Sequence, residues 1–168
     1  DRVALAASTW GLFASPMDCW LAMRGMATLD LRMERATATA HLLAEQLVGN
    51  RAIAALHYPG LPDRADHKVA TRELATGTGN LGFGNMLTIE LAGGLKAAEH
   101  FIQAVADDIP FCPSLGELTT TLSHPKSTSH RDMSAEELRA VGITDGTIRL
   151  SIGIEPVDVI SAALRRGL

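Results

Sequence analysis

The most constraining feature of this chain is a helix longer than the chain can comfortably house. Ser15-Pro16-Met17-Asp18 combines a capping hydroxyl, a proline at the first helical position and an acid three residues after the cap, the signature of a helix start. Trp20, Leu21, Leu29, Met33, Ala36, Ala40, Leu43 and Leu47 then recur at near-helical spacing until Gly49-Asn50 offers a stop, with only Gly25 interrupting. A helix of roughly 34 residues would be about 50 Å long. A compact domain of 168 residues is only about 40 Å across. The helix is therefore predicted either to kink near Gly25 or to pack its first half against something outside this chain. The chain also opens at Asp1, directly into an apolar segment, which reads as a processed or excised piece.

The remaining pattern alternates short strands with helices. Residues 53–58 read as a strand ended by Pro59-Gly60, and 63–74 as a helix with Asp63 near its cap. Gly77-Thr78-Gly79-Asn80-Leu81-Gly82 is a literal G-x-G-x-x-G, but a dinucleotide loop needs a strand before it and a helix behind it. Here a helix precedes and a strand, 86–91, follows, so the string reads as a flexible entry to that strand. A helix over 95–106, short strands over 109–111 and 119–122, and a helix opened by Ser134-Ala135-Glu136-Glu137 come next. Residues 147–153 alternate, with Ile148, Leu150 and Ile152 on one face and Thr147, Arg149 and Ser151 on the other. A last helix starts near Pro156. This order predicts an α+β fold, a small, mainly antiparallel sheet covered by helices. With aromatic residues at 4%, aliphatic side chains must fill its core.

Several function classes are disfavoured. Lys+Arg 15 against Asp+Glu 19 gives a net charge of -4 without a basic block, so no nucleic-acid or acidic-lipid partner is expected. The longest apolar runs, such as 3–7 and 12–14, are too short to cross a bilayer, so no membrane partner is expected either. Cys19 and Cys112 stand in unrelated contexts, which fits a reducing cytoplasmic setting and no disulfide scaffold. The six histidines, His41, His57, His67, His100, His124 and His130, lack tight ligand spacing, so no metal site is expected. No serine lies in a G-x-S-x-G elbow, and spacing neither supports nor opposes a Ser-His-Asp triad. Two places remain. Ser114-Leu115-Gly116 follows an apolar stretch in a loop whose donors are free to face a ligand. Arg149 projects a planar guanidinium, able to grip a carboxylate at two points, from a strand otherwise built for a core. Taken singly, each is also satisfied by a plain turn and a solvated arginine.

Taken together, the motifs resemble one family. Ser15-Pro16-Met17-Asp18-Cys19-Trp20-Leu21, Arg24-Gly25-Met26-Ala27-Thr28-Leu29, Tyr58-Pro59-Gly60-Leu61, Ser114-Leu115-Gly116, Ser129-His130 and Ile148-Arg149-Leu150-Ser151-Ile152-Gly153-Ile154-Glu155 occur in this order and at these separations in it. The chain resembles the C-terminal domain of the pyridoxal-phosphate enzymes of cysteine and methionine metabolism: cystathionine γ-synthase, cystathionine lyases, methionine γ-lyase and homoserine-ester sulfhydrylases. The resemblance implies an aspartate-aminotransferase-type fold in which a small sheet with helices on one side packs on a large cofactor domain. Residues 1–14 would then be the remnant of a linker from that missing domain, and 15–168 the substrate-carboxylate domain.

The same resemblance implies that Ser114, with Leu115 in its S-L-G loop, and Arg149 bind the substrate α-carboxylate, and that Ser129 stands for a threonine near the substrate. Thr128-Ser129-His130 leans toward the homoserine-ester sulfhydrylases. Pro113 replaces the acid that several cystathionine enzymes carry before S-L-G, and Thr121 stands where the family often has Leu. The family's Schiff-base lysine follows Ser or Thr, whereas Lys68, Lys96 and Lys126 follow His67, Leu95 and Pro125. The implied function is γ-elimination or γ-replacement on homoserine esters, cystathionine or methionine. It would be carried out by a full-length, homotetrameric trans-sulfuration enzyme, with this chain inactive alone. The rival readings are a cofactor-free binding or dimerisation module of the same descent and, more remotely, a hydrolase using Ser114 or Ser129.

Overall fold

A computed structural model describes residues 2–74 and 82–168. Among these, the helices are α1 (Arg2–Trp10), α2 (Pro16–Met26), α3 (Leu29–Leu47), α4 (His67–Glu73), α5 (Gly94–Val105), α6 (Ala135–Ala140) and α7 (Val157–Gly167). The strands are β1 (Ile53–His57), β2 (Met86–Leu91), β3 (Thr121–Ser123) and β4 (Thr147–Ser151), with a 3-10 turn at Pro125–Ser127. Contacts divide the chain into residues 1–31 and 32–168. The G-x-G-x-x-G string lies, except for Gly82, outside the described residues.

In the first unit, α2 begins as its sequence predicts. The Asp18 amide donates to Ser15 Oγ at 3.1 Å, and the Ser15 amide donates back to Asp18 Oδ2 at 3.2 Å. Gly25 stays helical, and the long predicted helix breaks two residues later, at Ala27-Thr28, before α3 restarts with Asp30 in its first turn. An acid there complements the positive end of the new helix. The first ten residues, expected as a connecting remnant, contain α1.

In the second unit the strands form one antiparallel sheet in the order β1-β2-β4-β3. Period-two alternation puts Leu87, Ile89, Ile148, Leu150 and Leu122 on one face, and register pairs them as Leu87 with Leu150 and Ile89 with Ile148. That face meets Leu43 and Leu47 of α3, Phe101 and Val105 of α5, and Ile160 and Leu164 of α7 in a single core. Helices α5 and α7 approach so closely that a Cβ on Gly167 would lie 2.6 Å from the Phe101 ring. The α+β architecture is thus as expected.

Three local expectations are corrected. Residues 109–111 make no strand, because Pro110 has no amide to give a ladder; only Phe111 forms an isolated bridge, to Leu122. The helix expected over 63–74 starts at His67. Asp63 does not cap it, and Asp66 at the cap makes no side-chain cap bond. Its carboxylate instead accepts from Arg64 Nε at 3.0 Å, a bond that lowers its pKa. The strand expected over 119–122 is displaced to Thr121–Ser123, because Thr120 is engaged by Glu155.

Candidate functional site

The second face of the sheet carries the polar set. Register aligns His57 with Thr88, Thr88 with Arg149, and Arg149 with Ser123, a row crossing all four strands. At the β1 end the row is closed: His57 Nε2 lies 3.0 Å from Glu90 Oε1, and Arg64 Nη1 lies 3.0 Å from His57 Nδ1. Because the guanidinium can only donate, His57 Nδ1 accepts and Nε2 carries the proton shared with Glu90. At the other end the row is open to the loop before β3. Arg149 Nη2 donates to the Pro113 carbonyl at 3.4 Å, the one bond its guanidinium makes within the described residues.

This contact joins two segments that lie 36 positions apart. Ser114 follows Pro113, its carbonyl accepts from Thr121 Oγ1 at 3.4 Å, and its hydroxyl is 3.4 Å from Glu117 Oε1. The Gly116 amide points to Ser151 Oγ, also at 3.4 Å. All four contacts sit at the long edge of hydrogen bonding, so the loop and the guanidinium are juxtaposed without consuming each other's capacity. Leu115, at the loop tip, is exposed. A guanidinium with unspent donors, beside a loop that carries a hydroxyl, has the donors to hold a carboxylate at two points.

Ser129 is not drawn into this cluster by any hydrogen bond. It is exposed, and its Oγ lies 2.8 Å from His130 Nδ1. The preceding turn is anchored by buried His124, whose Nε2 donates to the Asp145 carbonyl at 3.0 Å. Among the described residues, Ser114 makes no hydrogen bond to a histidine. Tyr58, of the Tyr-Pro-Gly-Leu motif, is buried and donates to the Gly84 carbonyl at 3.1 Å. Burial pushes its pKa up to about 12, so it serves as a fixed donor rather than an acid-base group near neutrality.

Among the described residues, no lysine is placed to hold pyridoxal phosphate. Lys68 on α4 and Lys96 on α5 are exposed, and Lys126 is ion-paired with Asp145. Among the described residues no three His, Cys, Asp or Glu side chains are grouped to hold a metal ion, and no helix is long and apolar enough to cross a membrane.

Beside Arg149 the structure places Thr88, Ser123 and the Pro113 carbonyl, none of which stood out in the sequence. Strand alternation in 86–91 could have put Thr88 on the polar face; nothing in the sequence could have set its register against Arg149.

Comparison with known proteins identifies the family of the chain. The profile of the Cys/Met metabolism PLP-dependent enzymes matches residues 1–168. The chain is 36% identical over 160 residues to an O-succinylhomoserine sulfhydrylase of Pseudomonas aeruginosa, covering 95% of this chain and 38% of that protein. It is 35% identical over 161 residues to an L-methionine gamma-lyase of Fusobacterium nucleatum, covering 94% of this chain and 38% of that one. A crystal structure of cystathionine gamma synthase from Xanthomonas oryzae in complex with cystathionine superposes with a TM-score of 0.84 at 37% identity, over 96% of this chain and 40% of that chain. The chain thus spans about two fifths of the length of these relatives. With a profile match along its whole length, the chain belongs to the Cys/Met metabolism family of PLP-dependent enzymes.

Proposed function

We propose that residues 15–168 form the C-terminal substrate-carboxylate domain of a PLP-dependent trans-sulfuration enzyme, with residues 1–14 as the connection from a cofactor domain. The observation that carries this reading is the Arg149 guanidinium lying against the Pro113 carbonyl, next to Ser114. A substrate α-carboxylate arriving there takes two N–H bonds from Arg149 in place of the single long one to Pro113. The Ser114 hydroxyl, turning from Glu117, adds a third. Holding the carboxylate fixes the orientation of the amino acid, and orientation is worth much of a bimolecular barrier. Ser129 is the further hydroxyl assigned to the substrate.

The substrate class is an amino acid bearing a γ-substituent: a homoserine ester, with methionine or cystathionine as relatives, processed by γ-elimination or γ-replacement. The chain offers no lysine to the cofactor, so it is inactive alone, and pyridoxal phosphate is held by the rest of a cytoplasmic homotetramer. The exposed apolar side chains of α1 and α2, Trp10, Trp20 and Leu21 among them, are the surface that rests on that remainder.

In the full-length enzyme, Arg149→Ala is expected to weaken productive substrate binding by roughly 2 to 5 kcal/mol, the usual cost of truncating one member of a desolvated charge pair. Steady-state kinetics with O-succinylhomoserine and with L-methionine measure this. Unchanged kcat/KM for both would sink the assignment.

A further inference from the structure

The motif that carries Arg149 runs on to Glu155, which makes no contact with the clamp and has no part in the function proposed above. Its geometry is nevertheless specific. Glu155 Oε1 accepts from the Thr120 amide at 2.5 Å, and Oε2 accepts from Thr120 Oγ1 at 3.0 Å. The same Thr120 hydroxyl accepts from the Gly153 amide at 3.0 Å, and the Ile154 amide donates to the Leu118 carbonyl at 2.9 Å. Residues 118–120 therefore lie flat on 153–155. A Cβ on Gly153 would sit 2.3 Å from the Leu118 carbonyl oxygen and 2.5 Å from Glu155 Oε2, so only glycine permits this approach.

Residues 118–120 are the far end of the loop that presents Ser114. Its near end is tied to β3 by the Cys112 amide donating to the Leu122 carbonyl at 2.8 Å. Between these ties, the contacts of residues 113–117 with the sheet are the 3.4 Å bonds to Arg149, Thr121 and Ser151. Charge-assisted bonds to a carboxylate are about twice as strong as neutral ones, and bonds at 3.4 Å are weak. The loop's placement is thus decided at its ends. The distal tie is a carboxylate on the same segment as Arg149, six positions along the chain.

We propose that Glu155 is the positioning residue that sets the Ser114 loop at its working distance from Arg149, so that carboxylate recognition depends on a side chain that never touches substrate. The inference rests on the clamp reading above. Sheet pairing of β4 holds Arg149, and the Glu155–Thr120 staple sets the loop against it. Without the staple, the loop keeps only its long contacts and the hydroxyl strays from the guanidinium.

The test uses the full-length enzyme with L-methionine and its amide, L-methioninamide, as paired substrates. Glu155→Ala is expected to raise KM for L-methionine by about ten-fold, the scale of losing a charged hydrogen-bond partner, with a much smaller change in kcat. It is also expected to shrink the preference for the carboxylate over the amide, because the amide has no carboxylate for the clamp to hold. Glu155→Gln keeps the bond to the Thr120 amide and should recover part of that preference. In a cycle with Thr120→Val, the double variant should be no worse than Glu155→Ala alone. If Glu155→Ala does not accumulate as folded enzyme, Glu155→Gln is read by itself, and a KM raised at least three-fold with diminished carboxylate preference supports the proposal.

An unchanged carboxylate preference in the Glu155 variants, while Arg149→Ala loses it, overturns the positioning role and leaves the clamp standing. An unchanged preference in Arg149→Ala removes the clamp itself. A Glu155 variant that loses kcat and melting temperature together while keeping its carboxylate preference also overturns the proposal, since that is plain structural support.

Discussion

The two units of this chain use apolar residues in opposite ways. None of residues 2–31 is buried, although this stretch carries Trp10, Phe13, Trp20, Leu21 and two methionines more than two-thirds exposed, Met23 and Met26. In residues 32–168 the aliphatic side chains of four strands and four helices close into one core in which Leu87, Ile89, Ile148 and Leu150 have no exposed surface. The first unit shows that helices can be specified locally, by the Ser15–Asp18 capping box and helical spacing. The second shows what specification costs when it is not local: a sheet exists only once distant segments have met.

The sharpest break of this contrast is a pair of truncations in this chain. Leu150→Ala should destabilise the second unit by about 2 to 5 kcal/mol, because the side chain is fully buried between β2 and β3. Leu21→Ala should change stability by no more than about 0.5 kcal/mol. Denaturant unfolding followed by circular dichroism measures both. A large loss from Leu21→Ala would mean that the first unit has a packed interior after all.

A smaller effect tests polar satisfaction in the second unit. Tyr58→Phe leaves the Gly84 carbonyl without its donor and should cost about 1 to 3 kcal/mol. Tyr58 is the sole tyrosine, so the ultraviolet absorbance of tyrosinate reports it directly. Its folded pKa is raised, which means the neutral form is favoured in the folded state. The associated stability is whole below the pKa of an unfolded tyrosine and fades as pH climbs toward about 12. Ionisation with the midpoint of a free tyrosine, in protein that is still folded, would contradict its burial.

The smallest effects belong to the helix caps, one in each unit. Ser15→Ala should lower the helicity of α2 by loss of about 1 kcal/mol of capping, without disturbing the sheet. In α6, hydrogen bonds from the Ser134 amide and hydroxyl hold the Glu137 carboxyl below its usual range. A lowered folded pKa means a contribution present above the unfolded value and lost as pH falls through the folded one. Amide protection factors over 135–140 should therefore fall on acidification into that range, and Glu137→Gln, which removes the titrating group, should abolish this pH dependence.

Much of the fold was legible because its signals are short in range. Both capping boxes, the strand over 86–91 and the alternation of 147–153 are patterns of neighbours, and each sits within a residue or two of its expected place. The failures have identifiable causes. Residues 109–111 look like a strand until Pro110 is asked for an amide. Asp63 looks like a cap until Asp66, engaged by Arg64, takes the position. Of the site, Arg149 and Ser114 were legible as residue types with a chemistry. Their juxtaposition through Pro113 was not, and neither was Glu155, whose partner Thr120 is 35 positions away.

What the sequence determined by itself was the inventory: where helices start, which strand faces are apolar, and which side chains could hold a carboxylate. Tertiary structure alone decided the order β1-β2-β4-β3, the row that sets Arg149 between Thr88 and Ser123, and the carboxylate staple that ties the Ser114 loop to the segment bearing Arg149. The physical reason is one of range. Capping and periodicity are satisfied by neighbours within one turn or one pleat, whereas register and loop closure are set only when buried faces far apart in the chain must match each other.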